Sequence, residues 1–274
     1  MVPSFPNVVP GIDVTAAGYY ENTRIAFEKV ADIMSELQPE TIVLVSSRAV
    51  VYTDYFHMSP GNAAIGTLQE FGAGNIKLLE EYAPKMVKEI GKCAKKLGIP
   101  AGTLGEKSRE LDYGSVVPLH FIRKKYRGGK VVRMGVSQLS YMDHYKMGQA
   151  VQAAAERLAS KTVVIASGNL SYKLEGSCYG YSAEGPFYDY KIVDACSRGA
   201  FGEILDLDED FCTRAGEDGH RTFLVMMGAM DGLNVYGRKL SYDEYFGAGY
   251  GICSFVTGDK NINRKFIEKP ENDE

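Results

Sequence analysis

The feature that most constrains this sequence is a short apolar run that stops at a polar turn. Thr162–Ala166 is rich in β-branched residues, which is typical of a buried strand, and Ser167–Gly168–Asn169 ends it. In an open α/β sheet, ligands are usually bound in the loops at the carboxyl ends of the strands. Asn169, Ser171 and Tyr172 are therefore the first candidate site residues. The alternative is a strand that simply ends in a turn.

A second apolar run has the same layout. Thr41–Val45 predicts a buried strand, and Ser46–Ser47–Arg48 follows it directly. The charge of Arg48 lies either in solvent or in a pocket at the end of the strand, and the local sequence leaves both open. Val131–Val136 predicts another strand.

The alternation of such strands with amphipathic stretches predicts an α/β fold with a mostly parallel central sheet flanked by helices. We expect a single domain over residues 1–256 and a polar tail or linker over 257–274. A glycine-rich stretch at 60–74 predicts a covering loop. Ser140 and Asp143 predict a capping box at the start of a helix. Further helices are predicted over 17–37, 75–97, 116–122, 209–215 and 221–232 and near Arg198, and further strands at Val8–Val9 and over 234–240 and 250–256.

Composition excludes several classes of function. The net charge is −4 and the pI about 5.7, so the chain lacks the basic surface of a nucleic-acid-binding protein. No apolar run is long enough to span a bilayer, and the first residues lack the pattern of a signal peptide. The five cysteines are scattered, which predicts reduced thiols in a cytoplasmic protein.

Eight segments spread over nearly the whole chain carry a family resemblance. They are MVPSFPNVVP, PETIVLVSSRAVVYTDYFHMSPG, IPAGTLGE, LDYGSVVPLHFI, SGNLSYKL, YGYSAEGPFYD, GEDGHRTFLVMMGAMDG and FGAGYGI. Together they resemble the LigB-type class III extradiol ring-cleavage dioxygenases and the related Memo proteins. The resemblance is greatest to bacterial versions that often precede an AMMECR1 domain. It implies a LigB-like or Memo-like α/β fold and an oxidoreductase of aromatic compound metabolism that uses ferrous iron.

The metal positions implied by this resemblance depart from the family pattern. The family's PHPP segment is Pro3–Ser4–Phe5–Pro6 here, and its SPH segment is Ser46–Ser47–Arg48. The two family histidines and a glutamate hold Fe(II), so Ser4 and Arg48 stand at histidine positions. Glu217, in the turn that is usually ECG, is the only retained ligand.

Two further family histidines are replaced by tyrosine. Tyr113 stands in the segment that is usually LDHG, and Tyr172 ends the segment that is usually SGDLSH. In the family the latter histidine is the acid/base near bound dioxygen. These tyrosines are therefore the catalytic positions implied by the resemblance, although a phenol with a pKa of about 10 is a poor base at neutral pH.

The chemistry of these residue types disfavours iron. A ferrous dioxygenase site needs two histidines and one carboxylate on one face of the metal. Serine is a poor ligand, and arginine offers only donors. Of the four histidines, His57, His120 and His144 do not lie at ligand positions, and only His220 is near Glu217. We therefore expect no cofactor, although the family implies Fe(II).

The positive charge of Arg48 offers a reason why it could replace a metal-binding histidine. A buried Glu217 without its cation would be costly. We hypothesise that Arg48 pairs with Glu217. The alternative is an exposed Arg48 and a carboxylate that simply lies near the start of a helix.

Three functions are compatible with these residues. The favoured one is a metal-free pseudoenzyme that acts as a ligand-binding or partner module for a small anionic or phenolic ligand. The second is an active Fe(II)-dependent extradiol dioxygenase of a catechol-type substrate with an unusual metal site, and the third is a metal-independent enzyme. The resemblance also implies a homo-oligomer and an AMMECR1-type domain or protein as a partner. The expected pocket is lined by Ser4, Arg48, Tyr113, Asn169, Tyr172 and Glu217.

Overall fold

A computed structural model of the chain describes residues 1–13 and 17–267. Its strands are β1 (Thr41–Ser46), β2 (Phe56–His57), β3 (Ala63–Leu68), β4 (Ala73–Glu81), β5 (Ala101–Gly102), β6 (Glu110–Leu111), β7 (Lys130–Gly135), β8 (Thr162–Ser167), β9 (Leu233–Tyr245) and β10 (Ala248–Lys260). Its α-helices are α1 (Glu21–Leu37), α2 (Pro84–Lys96), α3 (Tyr113–Lys125), α4 (Tyr141–Arg157), α5 (Glu184–Arg198), α6 (Phe201–Leu205), α7 (Glu209–Ala215) and α8 (His220–Gly228). Short 3-10 helices lie at Pro6–Val8, Ala17–Tyr20, Gln69–Phe71 and Ile262–Arg264.

The central sheet is parallel, with the strand order β7-β1-β8. Every residue of β1 is buried, which explains its uninterrupted apolar sequence. Ser46 lies opposite Gly135 on one side and Ser167 on the other, so the three strands end at the same level. The predicted α/β fold with a parallel central sheet is confirmed, and the turns after β1 and β8 are neighbours.

Helices cover both faces of this sheet. Ile42 and Leu44 of β1 belong to a core cluster that includes Phe27 of α1 and Phe121 of α3, whose rings stack at 4.5 Å. The alternate residues of β1 pack with α2, α4 and α8 in a second cluster. Among the described residues, no helix is long and apolar enough to cross a membrane.

The chain between β1 and α2 differs from the sequence prediction. The predicted covering loop over 60–74 and helix from residue 75 are wrong, because β3 and β4 form an antiparallel pair here. Ile76 and Glu80 are buried while Leu79 is exposed, so the side chains do not follow the helical stripe that the apolar residues suggested. The helix begins instead at Pro84, whose fixed φ suits the first helical position.

The two closing strands form a long antiparallel hairpin, β9–β10. β10 runs on to Lys260, so the polar segment predicted from residue 257 begins as part of a strand. The rest of that prediction, over 268–274, lies outside the described residues. The short strand predicted at Val8–Val9 is also wrong, because Pro6–Val8 is a 3-10 helix.

The predicted capping box is present at the start of α4. Ser140 Oγ accepts a hydrogen bond from Asp143 N at 3.1 Å, and Ser140 N donates to Asp143 Oδ2 at 3.2 Å. Further along this helix, Gly148 packs against α8. A Cβ atom at Gly148 would collide with the carbonyl oxygen of Val225, so α4 and α8 approach closely only because this position has no side chain.

We therefore expect Gly148→Ala to lower the free energy of unfolding by about 1–3 kcal/mol, as overpacking does. Gly91→Ala in α2 is the matched control, because its Cβ would meet only the Ala101 carbonyl oxygen at 3.7 Å. That substitution should raise the free energy of unfolding by roughly 0.5–1 kcal/mol. Urea denaturation of both variants measures the difference, and equal effects would contradict the close approach.

Candidate functional site

The chain's first residues enter the site by pairing with β8. Val2 N donates to the Ala166 carbonyl oxygen at 2.9 Å, and Gly168 N donates to the Val2 carbonyl oxygen at 3.1 Å. Ser4 N then donates to Asn169 Oδ1 at 2.9 Å. Ser4 is thereby held beside the turn that follows β8.

Arg48 is at the centre of the site. Its Nη2 donates to Asp218 Oδ2 and to the Tyr172 hydroxyl, both at 2.8 Å, and its Nε lies 3.4 Å from Ser4 Oγ. The guanidinium also lies 5.5 Å from the centre of the Tyr113 ring. Arg48 is thus ion-paired at the end of the strand, with about a quarter of its side chain (24%) exposed, and does not extend freely into solvent.

Asp218 accepts hydrogen bonds from the turns that follow both strands, β1 and β8. Its Oδ2 accepts from Ser47 Oγ at 3.0 Å and from Asn169 N at 3.2 Å, in addition to Arg48. The turn that carries Asp218 lies close to the turn after β8, since a Cβ at Gly168 would lie only 2.5 Å from Gly219 Cα. One carboxylate therefore connects β1, β8 and the turn before α8.

The hypothesis that Arg48 pairs with Glu217 is wrong, because its partner is the neighbouring Asp218. Glu217 Oε2 instead accepts a hydrogen bond from His220 N at 2.6 Å. Burial raises the pKa of Glu217 to about 7, with the nearby Asp218 charge acting in the same direction and Arg221 opposing it. Consecutive residues thus have different roles, since Asp218 binds the arginine and Glu217 accepts from the main-chain N–H of His220.

The surroundings of Glu217 form a second buried cluster. Burial, and secondly the Glu217 carboxyl, raise the pKa values of the Tyr141 and Tyr188 phenols and of the Cys212 thiol. His220 is fully buried and its Nδ1 lies 3.1 Å from the Tyr188 hydroxyl. Burial lowers the pKa of His220 to about 3, so the ring is neutral. His220 lies near Glu217, as the sequence predicts.

The residues around Arg48 do not fit a ferrous ion. Arg48 has only donors, and it stands beside the one carboxylate of this cluster. Ser4 and Tyr172 contribute only hydroxyl groups. Within the ranges 1–13 and 17–267, no group of three or more His, Cys, Asp or Glu side chains is placed to hold a metal ion.

The two tyrosines of the site are unsuited to act as bases. Burial raises the pKa of Tyr172 and of Tyr113, although Arg48 opposes the shift in both. Both phenols therefore keep their protons at neutral pH. Asn169 Nδ2 donates to the Tyr172 hydroxyl at 2.5 Å, which fixes that ring. The arrangement therefore lacks a general base at the tyrosine positions.

The structure brings five of the six predicted site residues together, and Glu217 is turned away from them. The predicted set omitted Asp218 and Ser47. Both residues lie in turns that the sequence analysis identified. From those turns Glu217 and Arg48 were chosen instead, because they stand at the positions of the family's metal ligands.

The carboxylate of Asp112 was also omitted from the predicted set. It accepts hydrogen bonds from Ser46 Oγ at 2.6 Å and from Arg133 Nε at 2.9 Å. An acidic residue directly before a helix is a signal that could have identified it.

Comparison with known proteins supports the resemblance. Residues 2–253 match the family model for LigB, the catalytic subunit of aromatic ring-opening dioxygenase. Protein CA_C1420 of Clostridium acetobutylicum is 30% identical over 283 aligned positions, which cover 100% of this chain and 60% of that protein. The 3,4-dihydroxyphenylacetate 2,3-dioxygenase of Escherichia coli is 27% identical over 169 positions, or 58% of this chain and 61% of that enzyme. The chain thus spans about three fifths of the length of these curated relatives.

A solved structure has the same fold. The uncharacterized protein JW3007 from Escherichia coli K12 superposes with a TM-score of 0.61 at 16% sequence identity. The match covers 84% of this chain and 91% of that protein. At this identity the similarity shows the fold alone.

The pairing of Arg48 can be measured with a double-mutant cycle. Arg48→Met and Asp218→Asn should show a coupling energy of roughly 0.5–3 kcal/mol in urea denaturation, because the two side chains share a hydrogen bond. Arg48→Met combined with Glu217→Gln is the control and should be additive within about 0.5 kcal/mol. Coupling to Glu217 instead of Asp218 would refute the observed pairing.

The buried Glu217 makes stability depend on pH. Its pKa is raised from 4.5 to about 7, so the folded state holds a proton that the unfolded state has released. The contribution of Glu217 to the free energy of unfolding should therefore fall as the pH rises from 4.5 through about 7. Asp189, whose pKa burial also raises to about 7, adds a slope of the same sign. His120, His144 and His220, whose pKa values burial lowers, contribute slopes of the opposite sign below about pH 6.5. The free energy of unfolding of Glu217→Gln should therefore fall less, or rise more, with pH than that of the native chain, and an unchanged slope would contradict the assignment.

Proposed function

The chain belongs to the LigB family of catalytic subunits of aromatic ring-opening dioxygenases, and from the site of this member we propose a metal-free ligand-binding or partner module. The observation that carries the proposal is the position of Arg48. The resemblance places a metal-binding histidine there, and Arg48 instead donates to Asp218 and to the Tyr172 hydroxyl. A fixed positive charge at this point would repel a metal cation.

The ligand class follows from the groups that remain free. Among the described residues, none accepts a hydrogen bond from Arg48 Nη1, and about a quarter of the Arg48 side chain (24%) is exposed. A guanidinium nitrogen beside protonated phenols is suited to a carboxylate or a phenolic oxygen. We therefore propose a small anionic or phenolic ligand. Arg48 would supply the charge, and Tyr113 would lie under the bound molecule.

A second candidate is an active Fe(II)-dependent extradiol dioxygenase. The similarity to the 3,4-dihydroxyphenylacetate 2,3-dioxygenase of Escherichia coli favours it. It would require iron ligands other than those the resemblance implies, because Ser4 and Arg48 cannot replace two histidines.

Partners and location are also proposals. The whole of this chain matches 60% of Protein CA_C1420, so that relative has further length beyond the match. We propose an AMMECR1-type domain or protein as a partner, as the resemblance implies. We also propose a homo-oligomer, as the resemblance implies. The five cysteines are free thiols, which supports a cytoplasmic location.

Metal content tests the proposed function. After anaerobic incubation with Fe(II) and removal of the excess, we expect the protein to retain less than about a tenth of an equivalent of iron or zinc, because arginine is not a ligand. With 3,4-dihydroxyphenylacetate added, oxygen uptake should stay at the level of the buffer. Near-stoichiometric iron together with oxygen uptake would support the dioxygenase instead.

The Ser4→His, Arg48→His double variant is the matched positive control. It replaces the guanidinium and adds two imidazoles beside the Asp218 carboxylate, which is the donor set of a ferrous site. Retention of iron by this variant and not by the native chain would show that these two replacements account for the loss of metal binding. If the native chain retained as much iron as this variant, Arg48 would not be what prevents metal binding.

A further inference from the structure

A buried aspartate on α5, Asp189, holds the turn that carries Tyr172. Its Oδ1 accepts a hydrogen bond from Ser171 N at 2.8 Å. The start of β10 packs against the same carboxyl group, since a Cβ atom at Gly249 would lie only 1.7 Å from Asp189 Oδ2. Gly249 N in turn donates to the Ser171 carbonyl oxygen at 2.8 Å. Asp189 thus lies between the residue that precedes Tyr172 and the hairpin that supports it.

The other oxygen of Asp189 begins a chain of three groups that ends at the surface. The Tyr242 hydroxyl lies 3.0 Å from Asp189 Oδ2 and 2.8 Å from Glu244 Oε1. Only 1% of Asp189 is exposed, whereas Glu244 is an exposed residue. Tyr242 therefore connects a buried carboxyl group to a solvated one.

This chain lacks one hydrogen atom if both carboxyl groups are ionised. A phenol has a single proton to donate, and a carboxylate has none. Burial raises the pKa of Tyr242, and the Asp189 charge acts in the same direction, so the phenol keeps its proton. That proton can be directed to Asp189 or to Glu244, but not to both. All three groups are hydrogen-bonded to one another only when one more proton is present.

The additional proton belongs on Asp189 rather than on Glu244. Burial raises the pKa of Asp189 to about 7, and the charge of Glu244 adds to the shift. The hydrogen bonds from Ser171 N and from Tyr242 oppose it. In the protonated state Asp189 Oδ2 donates to the Tyr242 oxygen, and Tyr242 donates to Glu244. Asp189 Oδ1 remains an acceptor for Ser171 N.

The charged and titratable groups around Asp189 lie on two elements, α5 and β9. A cavity of about 330 Å³ separates parts of these elements and has Asp189 in its wall. On the sides of the turn after β8 and of β10, the contacts are main-chain groups of Ser171 and Gly249, which carry no charge. The titratable side chains are Tyr188, Tyr190 and Asp194 of α5 and Lys239, Tyr242 and Glu244 of β9.

We propose that Asp189 is a positioning residue for the turn that carries Tyr172, and that it holds this turn through a proton shared along the chain Asp189–Tyr242–Glu244. With this proton in place, the buried carboxyl group is neutral and hydrogen-bonded at both oxygens. Without it, Tyr242 has one hydrogen for two anions, and a charge is left in a buried position, which is unfavourable. The packing of the turn and the hairpin against α5 therefore weakens as the pH rises.

The consequence for the site is a pH-dependent position of Tyr172. The Tyr172 hydroxyl accepts a hydrogen bond from Arg48 Nη2 at 2.8 Å, and Tyr172 follows Ser171 directly in the chain. An effect on ligand binding rests on the proposed function, because it requires a ligand at Arg48. The shared proton does not, and it can be measured on the protein without any ligand.

The first test is the titration of Asp189, followed by the carboxyl carbon resonances of the full chain in NMR. Asp189→Asn identifies the resonance, and we expect a midpoint at about pH 7. Glu244→Gln should lower this midpoint by about one pH unit. The substitution removes a negative charge, and the new amide can donate to the Tyr242 oxygen, which leaves the phenol proton for the Asp189 anion.

Asp194→Asn is the matched control for Glu244→Gln. It removes the same charge from the wall of the same cavity, but Asp194 is paired with Arg198 at 2.7 Å and is not part of the chain. It should shift the Asp189 midpoint by less than about 0.3 pH units. Equal shifts in the two variants would overturn the chain through Tyr242, and a native midpoint below about pH 5 would overturn the shared proton.

The second test measures the hold on the turn by hydrogen exchange. The protection factors of the Ser171 and Gly249 amides, corrected for the intrinsic exchange rate, should fall roughly three- to tenfold between pH 6 and pH 8, because opening lets Asp189 ionise in water. In Asp189→Asn the amide accepts from Ser171 N and donates to the Tyr242 oxygen, as the protonated acid does. Its protection factors should not show this fall. An equal fall in the native chain and in Asp189→Asn would show that another group controls the turn.

Discussion

The hydrogen-bonded ion pair between Arg48 and Asp218 joins segments that are far apart in the sequence. Asp218 accepts from the turn after β1 and from the turn after β8, and Arg48 reaches the Tyr172 hydroxyl and lies near Ser4. In a metal enzyme, a cation would connect such loops. Here a guanidinium supplies the positive charge and the directed hydrogen bonds that hold these loops together.

The charge balance within the turn before α8 explains why two adjacent acidic residues behave differently. Asp218 is next to a permanent cation and has three donors. Glu217 has one backbone donor, and burial raises its pKa to about 7. Glu217 is thus a largely protonated carboxylic acid at slightly acidic pH, as expected when burial outweighs hydrogen bonding.

Sequence patterns were informative where a single physical factor determines the structure. β1, β8 and the capping box of Ser140 were predictable because burial on both faces and helix capping each leave a local signature. The β3–β4 pair was missed because its pairing is between residues, such as Ile65 and Leu79, that are separated along the chain. Asp218 was missed for a related reason, since which of two adjacent carboxylates meets Arg48 depends on how the turn docks against the residues after β8.

The bond between Ser4 N and Asn169 Oδ1 has a consequence for how such a site can change. It uses the main chain of residue 4, so it places no demand on the side chain there. The bond can persist when Ser4 is replaced by another residue, proline excepted, whose side chain fits this buried position. Positioning and chemistry are thereby assigned to different atoms of one residue. During evolution the side chain of residue 4 can therefore be changed by one substitution while the segment that carries it keeps its position.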